Sequence, residues 1–409
     1  MDDLVPFGLS LALVALAGLV AVWSKPLSEW LRVPAPALFL VVAALASDLF
    51  PRLGTVSIEH VQRIVTVMLV LLLFDGGLHI GRRRFATAAG PVLLVGVLGT
   101  VVTAAGIAVV AHTLLGLDWR AGLLLGVALS PTDPAVVFSV LGRREVQGRT
   151  GTLLEGESGA NDPVGIAAMA AVLGASGGGL HAVWVGVGEF ALQMAVGSVV
   201  GLAGGWLLAV AMRRVPLPSA ALYPLQTLLG SGVVFGVATV LHGSGFLAVF
   251  VAGIYLGDLG APYKLEIERF HSSLASLAEI VAFTLLGLTV SVHFLFTSGA
   301  WLEGLVLGVV LALVLRPVLV GLLLVPVRLR AGERVFVLWS GLKGAVPILL
   351  GTYILTSGEP HAGELYEVVV MVVAFSVIVQ GGLVPFVAAR ARVPMRTVEP
   401  EAMAVPAQP

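Results

Sequence analysis

The sequence predicts an all-α membrane protein of about 13 transmembrane helices. Of its 409 residues, 58% are hydrophobic and only 11% are charged, whereas soluble domains carry roughly 25% charged residues. Mean hydropathy is +1.03, so lipid must cover most of the surface. The apolar runs are uniform, whereas the strands of a membrane β-barrel alternate apolar and polar residues. A net charge of −1 indicates no nucleic-acid partner.

Each predicted helix is an apolar run bounded by glycine, proline or charge, because about 20 apolar residues cross a bilayer. The first run follows acidic Asp2 and Asp3 and lacks a small-residue cleavage site, which favours a retained helix over a signal peptide. Only His242 and Gly243 separate the eighth run from the ninth. The predicted spans are 5–24, 34–50, 61–80, 91–115, 120–141, 150–173, 182–212, 222–241, 243–257, 273–296, 300–326, 334–356 and 365–389.

The distribution of basic residues predicts the orientation. With these spans, one face receives about 18 Lys and Arg residues and the other about three. The positive-inside rule therefore places the N-terminus outside and the C-terminus in the cytoplasm of a bacterial or archaeal cell. The tail, residues 392–409, is rich in proline, and we expect it to be disordered.

Two spans are interrupted by proline and glycine. The fifth contains the segment SPTDP at 130–134, and the twelfth contains GLKGAVP at 341–347. Prolines remove backbone donors, and the freed carbonyls are tolerated at membrane depth only where they line protein or a wet cavity. The two spans run in opposite directions, and such a pair indicates a transporter with its binding site near the bilayer midplane. Two ordinary proline kinks are the simpler alternative, although each segment also carries a charge.

Charged side chains within the predicted spans are candidates for the site, because charge is costly in the bilayer. In the sixth span, Ser158 and Asp162 share a helix face, and their oxygens suit an alkali cation or a proton. A carboxylate that binds one or the other, but not both, favours exchange of the two ions. Alternatively, Asp133 and Asp162 form a structural ion pair with Arg316 or Lys343. Glu155 is expected in the membrane interface. The charges are Asp75, Asp133, Glu155, Glu157, Asp162, Glu279, Arg316 and Lys343.

Four segments resemble the NhaP-type branch of the monovalent cation:proton antiporters, and in particular the bacterial cell-volume-regulation K⁺/H⁺ subgroup. They are LLLFDGGL (71–78), SPTDPAVVFSVL (130–141), EGESGANDPVGI (155–166) and WSGLKGAVPILL (339–350). The resemblance implies an NhaA-like fold with inverted repeats and a homodimer. It also implies core transport helices in 91–173 and 297–391, which move against scaffold helices in 1–90 and 174–296.

The same resemblance implies roles for individual residues. Asp162 is expected to bind the ion or proton, preceded by Asn161, with Asp133, the Thr132 backbone and Ser158 completing a monovalent-cation site. Asp75 matches an acidic position that reaches the ion in some members. Glu157 is expected to pair with Arg316, and the paired Asn161 and Asp162 imply electroneutral one-for-one exchange.

The chain departs from that subgroup in two ways. Lys343 stands where the family usually carries Arg, and lysine lacks the bidentate fork of arginine. The subgroup usually has cytosolic domains after its last helix, whereas this chain ends soon after the thirteenth span. Either those domains are absent or the resemblance to that subgroup is only to its membrane part, and Na⁺ and K⁺ both stay open.

Two other functions are compatible with parts of the sequence. A cation channel is one, although no repeated filter-like loop is present. An intramembrane aspartyl protease is the other, because Gly257 and Asp258 match half of a Gly-x-Gly-Asp signature. The histidines, including His271, are expected at loops or helix ends and do not cluster at metal-ligand spacing. We expect the protein to have no cofactor and not to be an enzyme.

Overall fold

The computed structural model describes residues 8, 12, 15–16, 18–24, 33–50, 53–142, 144–174, 180–258 and 263–397. The first predicted span, 5–24, is described only in part, and residues 398–409 of the predicted disordered tail lie outside the described residues. Helices dominate the described part. They are α1 Ala35–Leu49, α2 Ile58–Leu93, α3 Gly99–Leu114, α4 Trp119–Leu129, α5 Pro134–Leu141, α6 Gly148–Gly174, α7 Leu180–Arg214, α8 Leu222–Val240, α9 Gly245–Gly257, α10 Lys264–Leu288, α11 Val292–Thr297, α12 Ala300–Val310, α13 Ala331–Trp339, α14 Ala345–Thr356, α15 Ala362–Phe375 and α16 Val384–Arg390.

Short non-α segments connect or extend some helices. The π-helix Leu94–Leu98 joins α2 to α3, Leu311–Val320 continues α12 as far as Gly321–Leu323, and Ser376–Gln380 continues α15. Two three-residue strands, β1 Arg144–Val146 and β2 Met395–Thr397, pair antiparallel. This small sheet ties the segment after α5 to the segment after α16.

Within the described residues, six helices are long and apolar enough to cross a membrane, or seven if the bent α4–α5 pair is one span. Helices α1, α9 and α14 are apolar but shorter. Large apolar side chains remain exposed on the outer helices, for example Trp184 (70% exposed) and Leu229 (70%), as expected of a surface that faces lipid. The chain is therefore a polytopic helical membrane protein, as its composition predicts.

Two helices extend beyond the predicted span boundaries. Residues 82–90, expected in a loop, are helical and belong to α2. A kink nevertheless separates them from the first part of α2, directly after the predicted end of the third span at residue 80. The only non-helical residue inside α2 is Gly81, with φ 65° and ψ 162°, a conformation that favours glycine. Likewise α10 begins at Lys264 rather than at 273, since its charged first turns are also helical.

Both predicted interruptions are present and they contact each other. Helix α4 ends at Leu129 and α5 begins at Pro134, with their axes bent by 42°. Helix α13 ends at Trp339 and α14 begins at Ala345. The Asp133 N–H donates to the Leu342 carbonyl at 2.8 Å. The two extended segments therefore meet. The four helices that flank them, α4, α5, α13 and α14, are called half-helices below, and each has one end near this contact.

Candidate functional site

The N-terminal ends of two half-helices converge on Asp133. Its carboxylate caps α5 by accepting the Ala135 N–H at 2.9 Å. A Cβ placed on Gly344, the residue before α14, would overlap the same carboxylate. Helix N-termini carry partial positive charge and unpaired N–H groups, so they stabilise an anionic side chain. The sequence places the carboxylate and the glycine here because only a residue without a side chain lets α14 approach so closely.

The C-terminal ends of the other two half-helices are capped by basic side chains. Lys343 Nζ donates to the carbonyls of Ser130 and Pro131, both at 3.0 Å, which are freed by the break after α4. Arg316 donates through Nε to the Leu338 carbonyl at 2.9 Å, at the end of α13. Cations at helix C-termini are favourable for the same electrostatic reason. Each interruption is thus neutralised by a residue from another element.

A buried ion pair joins α6 to the segment after α12. Arg316 Nη2 lies 2.7 Å from Glu157 Oε1, and both side chains are at most 5% exposed. No ion pair of the described residues connects Asp133 or Asp162 to Arg316 or Lys343. The alternative in which these aspartates form a structural ion pair with either base is therefore not supported.

A hydrogen-bonded layer fixes the first interruption against α6. The Thr132 N–H donates to Asn161 Oδ1 at 3.3 Å, which sets the orientation of the amide. Asn161 Nδ2 then donates to Thr132 Oγ1 at 2.7 Å. Thr132 Oγ1 also lies 3.2 Å from Ser158 Oγ. Since Thr132 accepts from Asn161, its own hydrogen is available to Ser158.

A cavity of about 450 Å³ reaches this point between six helices. Asp133, Ser158 and Asp162 form its inner end, together with Ala345 to Pro347 at the start of α14. Its ionisable lining consists of carboxylates and one histidine, without lysine or arginine, which favours cations over anions. These residues are Asp75, His79, Asp133, Glu155, Asp162 and Glu279.

The residues predicted from the sequence fall into three groups. Asp75, Asp133, Ser158 and Asp162 line the cavity. Thr132 and Asn161 lie behind it in the hydrogen-bonded layer, and Glu157, Arg316 and Lys343 serve the ion pair and the caps. The described residues contain no group of three or more His, Cys, Asp or Glu side chains arranged to hold a metal ion. A cation bound here would therefore rely on one or two carboxylates supplemented by hydroxyl and backbone oxygens.

Sequence reasoning missed some of the lining. Glu155, expected in the interface, lines the cavity. So does His79, whose Nδ1 lies 3.3 Å from Asp75 Oδ1, and its position one helical turn after Asp75 is a signal that could have found it. His271 is 1% exposed and bonds Thr227 at 2.8 Å. It is not at a helix end because α10 begins two turns earlier than predicted.

We expect Gly344→Ala to impair the crossing of the two interruptions. The added methyl would overlap the Asp133 carboxylate, and overpacking of this kind costs about 1–3 kcal/mol. Thermal unfolding of the purified protein should show a lower midpoint. Gly236→Ala on α8 is the matched control, because no atom lies within 4 Å of its added methyl. Equal midpoints for the two variants would contradict the expected overlap.

Comparisons with known proteins agree with the sequence resemblance. Residues 12–390 match the family model described as "Sodium/hydrogen exchanger, transmembrane". The K⁺/H⁺ antiporter NhaP of Alkalimonas amylolytica is 34% identical over 378 residues, covering 91% of this chain and 65% of that protein. The K⁺/H⁺ antiporter NhaP2 of Shewanella sp. (strain MR-4) is 32% identical over 388 residues, covering 93% of this chain and 66% of that protein. The chain thus spans just under two thirds of the length of these relatives.

A solved structure shares the fold. The sodium proton antiporter MjNhaP1 from Methanocaldococcus jannaschii superposes with a TM-score of 0.79, covering 94% of this chain and 99% of that one. Its sequence identity is 20%, so the likeness concerns the fold alone.

Proposed function

Because the chain belongs to the sodium/hydrogen exchanger family, we propose that it is a secondary antiporter that exchanges protons for Na⁺ or K⁺ across the plasma membrane. The observation that carries this proposal is the acidic cavity that ends at Asp133 and Asp162, where the two interruptions meet. The relatives' names favour a transporter over an enzyme. The names of NhaP and NhaP2 state K⁺, whereas the name of MjNhaP1 states sodium. The cation that this chain transports must therefore be measured.

The exchange follows from competition for one carboxylate. Asp162 binds either a proton or the cation, and Ser158, Asp133 and the Thr132 backbone supply further oxygens. Either ion removes one negative charge from the site, whereas an empty, fully ionised site at membrane depth is costly. The loaded site therefore crosses more readily than the empty one. Asp75 is a candidate ligand at the cavity wall.

The architecture that accompanies this proposal has about 13 spans with inverted repeats. It is supported by the opposite directions of the two interrupted helices and by the asymmetry of basic residues. Residues 91–173 and 297–391 form the moving core, and residues 1–90 and 174–296 form a scaffold that dimerises and contacts lipid. With the N-terminus outside, the three arginines at 82–84 lie in the cytoplasm. They follow the cavity residue Ile80 on α2, so the cavity opens to that side.

Exchange is electroneutral in this proposal, because Asn161 stands where a second acid would add a titratable charge beside Asp162. Currents on a solid-supported membrane should then be absent under conditions in which a pH-sensitive dye reports exchange. A sustained current with the sign of net proton movement would contradict one-for-one stoichiometry.

Proteoliposomes with an imposed pH gradient test the function. Addition of Na⁺, K⁺ or Li⁺ in separate experiments should collapse the gradient and thereby identify the transported cation. The absence of collapse with any cation, in protein shown to be folded, would overturn the antiporter and reopen the channel and protease alternatives. The protease alternative lacks a paired aspartate, because Asp258 lies at the end of α9 with its carboxylate on the Arg83 N–H and does not line the cavity.

A further inference from the structure

A polar seam closes the fold on the side of the site opposite the cavity. The seam is defined by three contacts that join α2 and the α10–α11 turn to α14 and α15. Gln62 Nε2 donates to Thr352 Oγ1 at 3.1 Å. The hydroxyls of Thr289 and Tyr366 lie 2.5 Å apart, and the Ser291 N–H donates to Glu367 Oε1 at 3.3 Å.

The seam continues the line of the cavity between the same helices. On α14 the last cavity residue is Pro347, and Thr352 lies about 8 Å further along at 1.5 Å per residue. Gln62 on α2 precedes the first cavity residue, Leu69, by about 10 Å. Thr289 follows the last cavity residue of α10, Phe283, by about 9 Å. Along α2, α10 and α14, the seam therefore lies beyond the cavity, where a transport path through the protein would continue.

The contacts across the seam suit a surface that opens and closes. Polar groups that bond each other when the seam is closed can bond water when it is open, and the net free energy of such an exchange is small. An interlocked apolar surface would instead expose its whole area to water.

Glu367 is the exceptional residue of the seam. It is 3% exposed, and its Oε2 has no hydrogen-bond partner. The other acidic side chain buried to this degree among the described residues, Glu157, is paired with Arg316. No ion pair of the described residues includes Glu367. A carboxylate without a basic partner within a membrane span is a functional candidate. Glu367 has no role in the exchange at Asp162.

We propose that the seam is the second mouth of the transport path and that Glu367 is the carboxylate that receives the cation there. This inference rests on the proposed exchange function. When the seam opens, the Glu367 carboxylate and the hydroxyls of Thr289, Tyr366 and Thr352 present oxygen ligands to an alkali cation. Asp48, whose carboxylate accepts the His293 N–H at 2.8 Å, adds negative charge on the outer flank of the same turn.

A sided transport assay tests this role. Proteoliposomes with a single protein orientation are loaded with the transported cation on one face and then on the other, and KM is measured for each. Glu367→Gln keeps the shape and removes the charge, so KM on the seam face should rise about tenfold, as for the loss of a charge-assisted contact. KM on the cavity face should stay unchanged. Glu367→Asp, which keeps the charge, should recover most of the affinity, and Glu59→Gln, exposed at the same end of α2, is the control.

The outcomes separate this inference from the exchange function. If wild-type protein shows no exchange, the proposed function fails. If wild-type protein exchanges but Glu367→Gln changes KM equally on both faces, or on neither, only the role of Glu367 is overturned.

The opening of the seam can be tested independently, because the chain contains no cysteine. Cysteines introduced at Gln62 and Thr352 can be bridged by a short bis-methanethiosulfonate, which forms a disulfide with each thiol and releases methanesulfinate. The bridge should stop exchange reversibly, with activity restored by a reductant. The control pair replaces Arg120 and Glu359, whose ion pair joins α4 to the loop between α14 and α15 and does not cross the seam. Undiminished exchange in the bridged Gln62–Thr352 variant would overturn the proposal that the seam opens.

Discussion

Replacing Asp162 with asparagine is expected to abolish cation–proton exchange. The substitution keeps the volume of the side chain but removes the carboxylate for which the proton and the cation compete in the proposed mechanism. The hydrogen-bonded layer formed by Thr132, Asn161 and Ser158 does not use the Asp162 side chain, so the fold should be retained. The measurement is the initial rate of gradient collapse in proteoliposomes, with the elution profile in detergent as the test of folding.

Asp258→Asn is the matched control for this loss. Asp258 lies at the end of α9, where its carboxylate accepts the Arg83 N–H, and it does not line the cavity. We expect exchange by this variant to remain near the wild-type rate. Exchange that survives in Asp162→Asn would show that the ion-binding carboxylate is elsewhere, and loss in Asp258→Asn alone would show that exchange depends on the contact between α9 and α2 instead of on Asp162.

Replacing Glu157 with glutamine should destabilise the protein strongly. The change leaves the Arg316 guanidinium buried without its counter-charge, and breaking a buried pair from one side costs about 3–5 kcal/mol. Arg316 also caps the end of α13, so the loss should loosen the second interruption as well. Thermal unfolding in detergent should show a large decrease in the midpoint.

An exposed ion pair of equal length provides the comparison. Glu145 lies 2.7 Å from Arg396, but the two side chains are 47% and 63% exposed. Such pairs contribute about 0–1 kcal/mol, so Glu145→Gln should change the midpoint little. If the two variants lowered the midpoint equally, burial would not be the source of the Glu157–Arg316 contribution.

Much of the site could be predicted from the sequence because its signals are local. Proline and glycine beside charge mark both interruptions, since such residues have few other uses inside a membrane helix. The spacing of Ser158 and Asp162 places them on one face, and both line the cavity in the structure. The family assignment, which rested on four short segments, is confirmed by the match over residues 12–390.

The remainder depends on contacts between distant elements. Nothing local indicates that Lys343 caps the carbonyls of Ser130 and Pro131, because that bond exists only once the two interruptions meet. His79 and Glu155 both line the cavity because α2 and α6 lie side by side in the fold, and the sequence does not show this packing. The role proposed for Glu367 could not be predicted from the sequence either, because a carboxylate near the start of a span resembles an interfacial residue until its burial is known.

In the proposed mechanism the proton and the cation compete for Asp162, so binding of the cation should release a proton. Purified protein in weakly buffered detergent solution is titrated with the transported cation while the pH is recorded, in parallel with Asp162→Asn. We expect saturable proton release from the wild-type protein and none from the variant. Cation binding by the wild-type protein without proton release, or equal release from the variant, would contradict it.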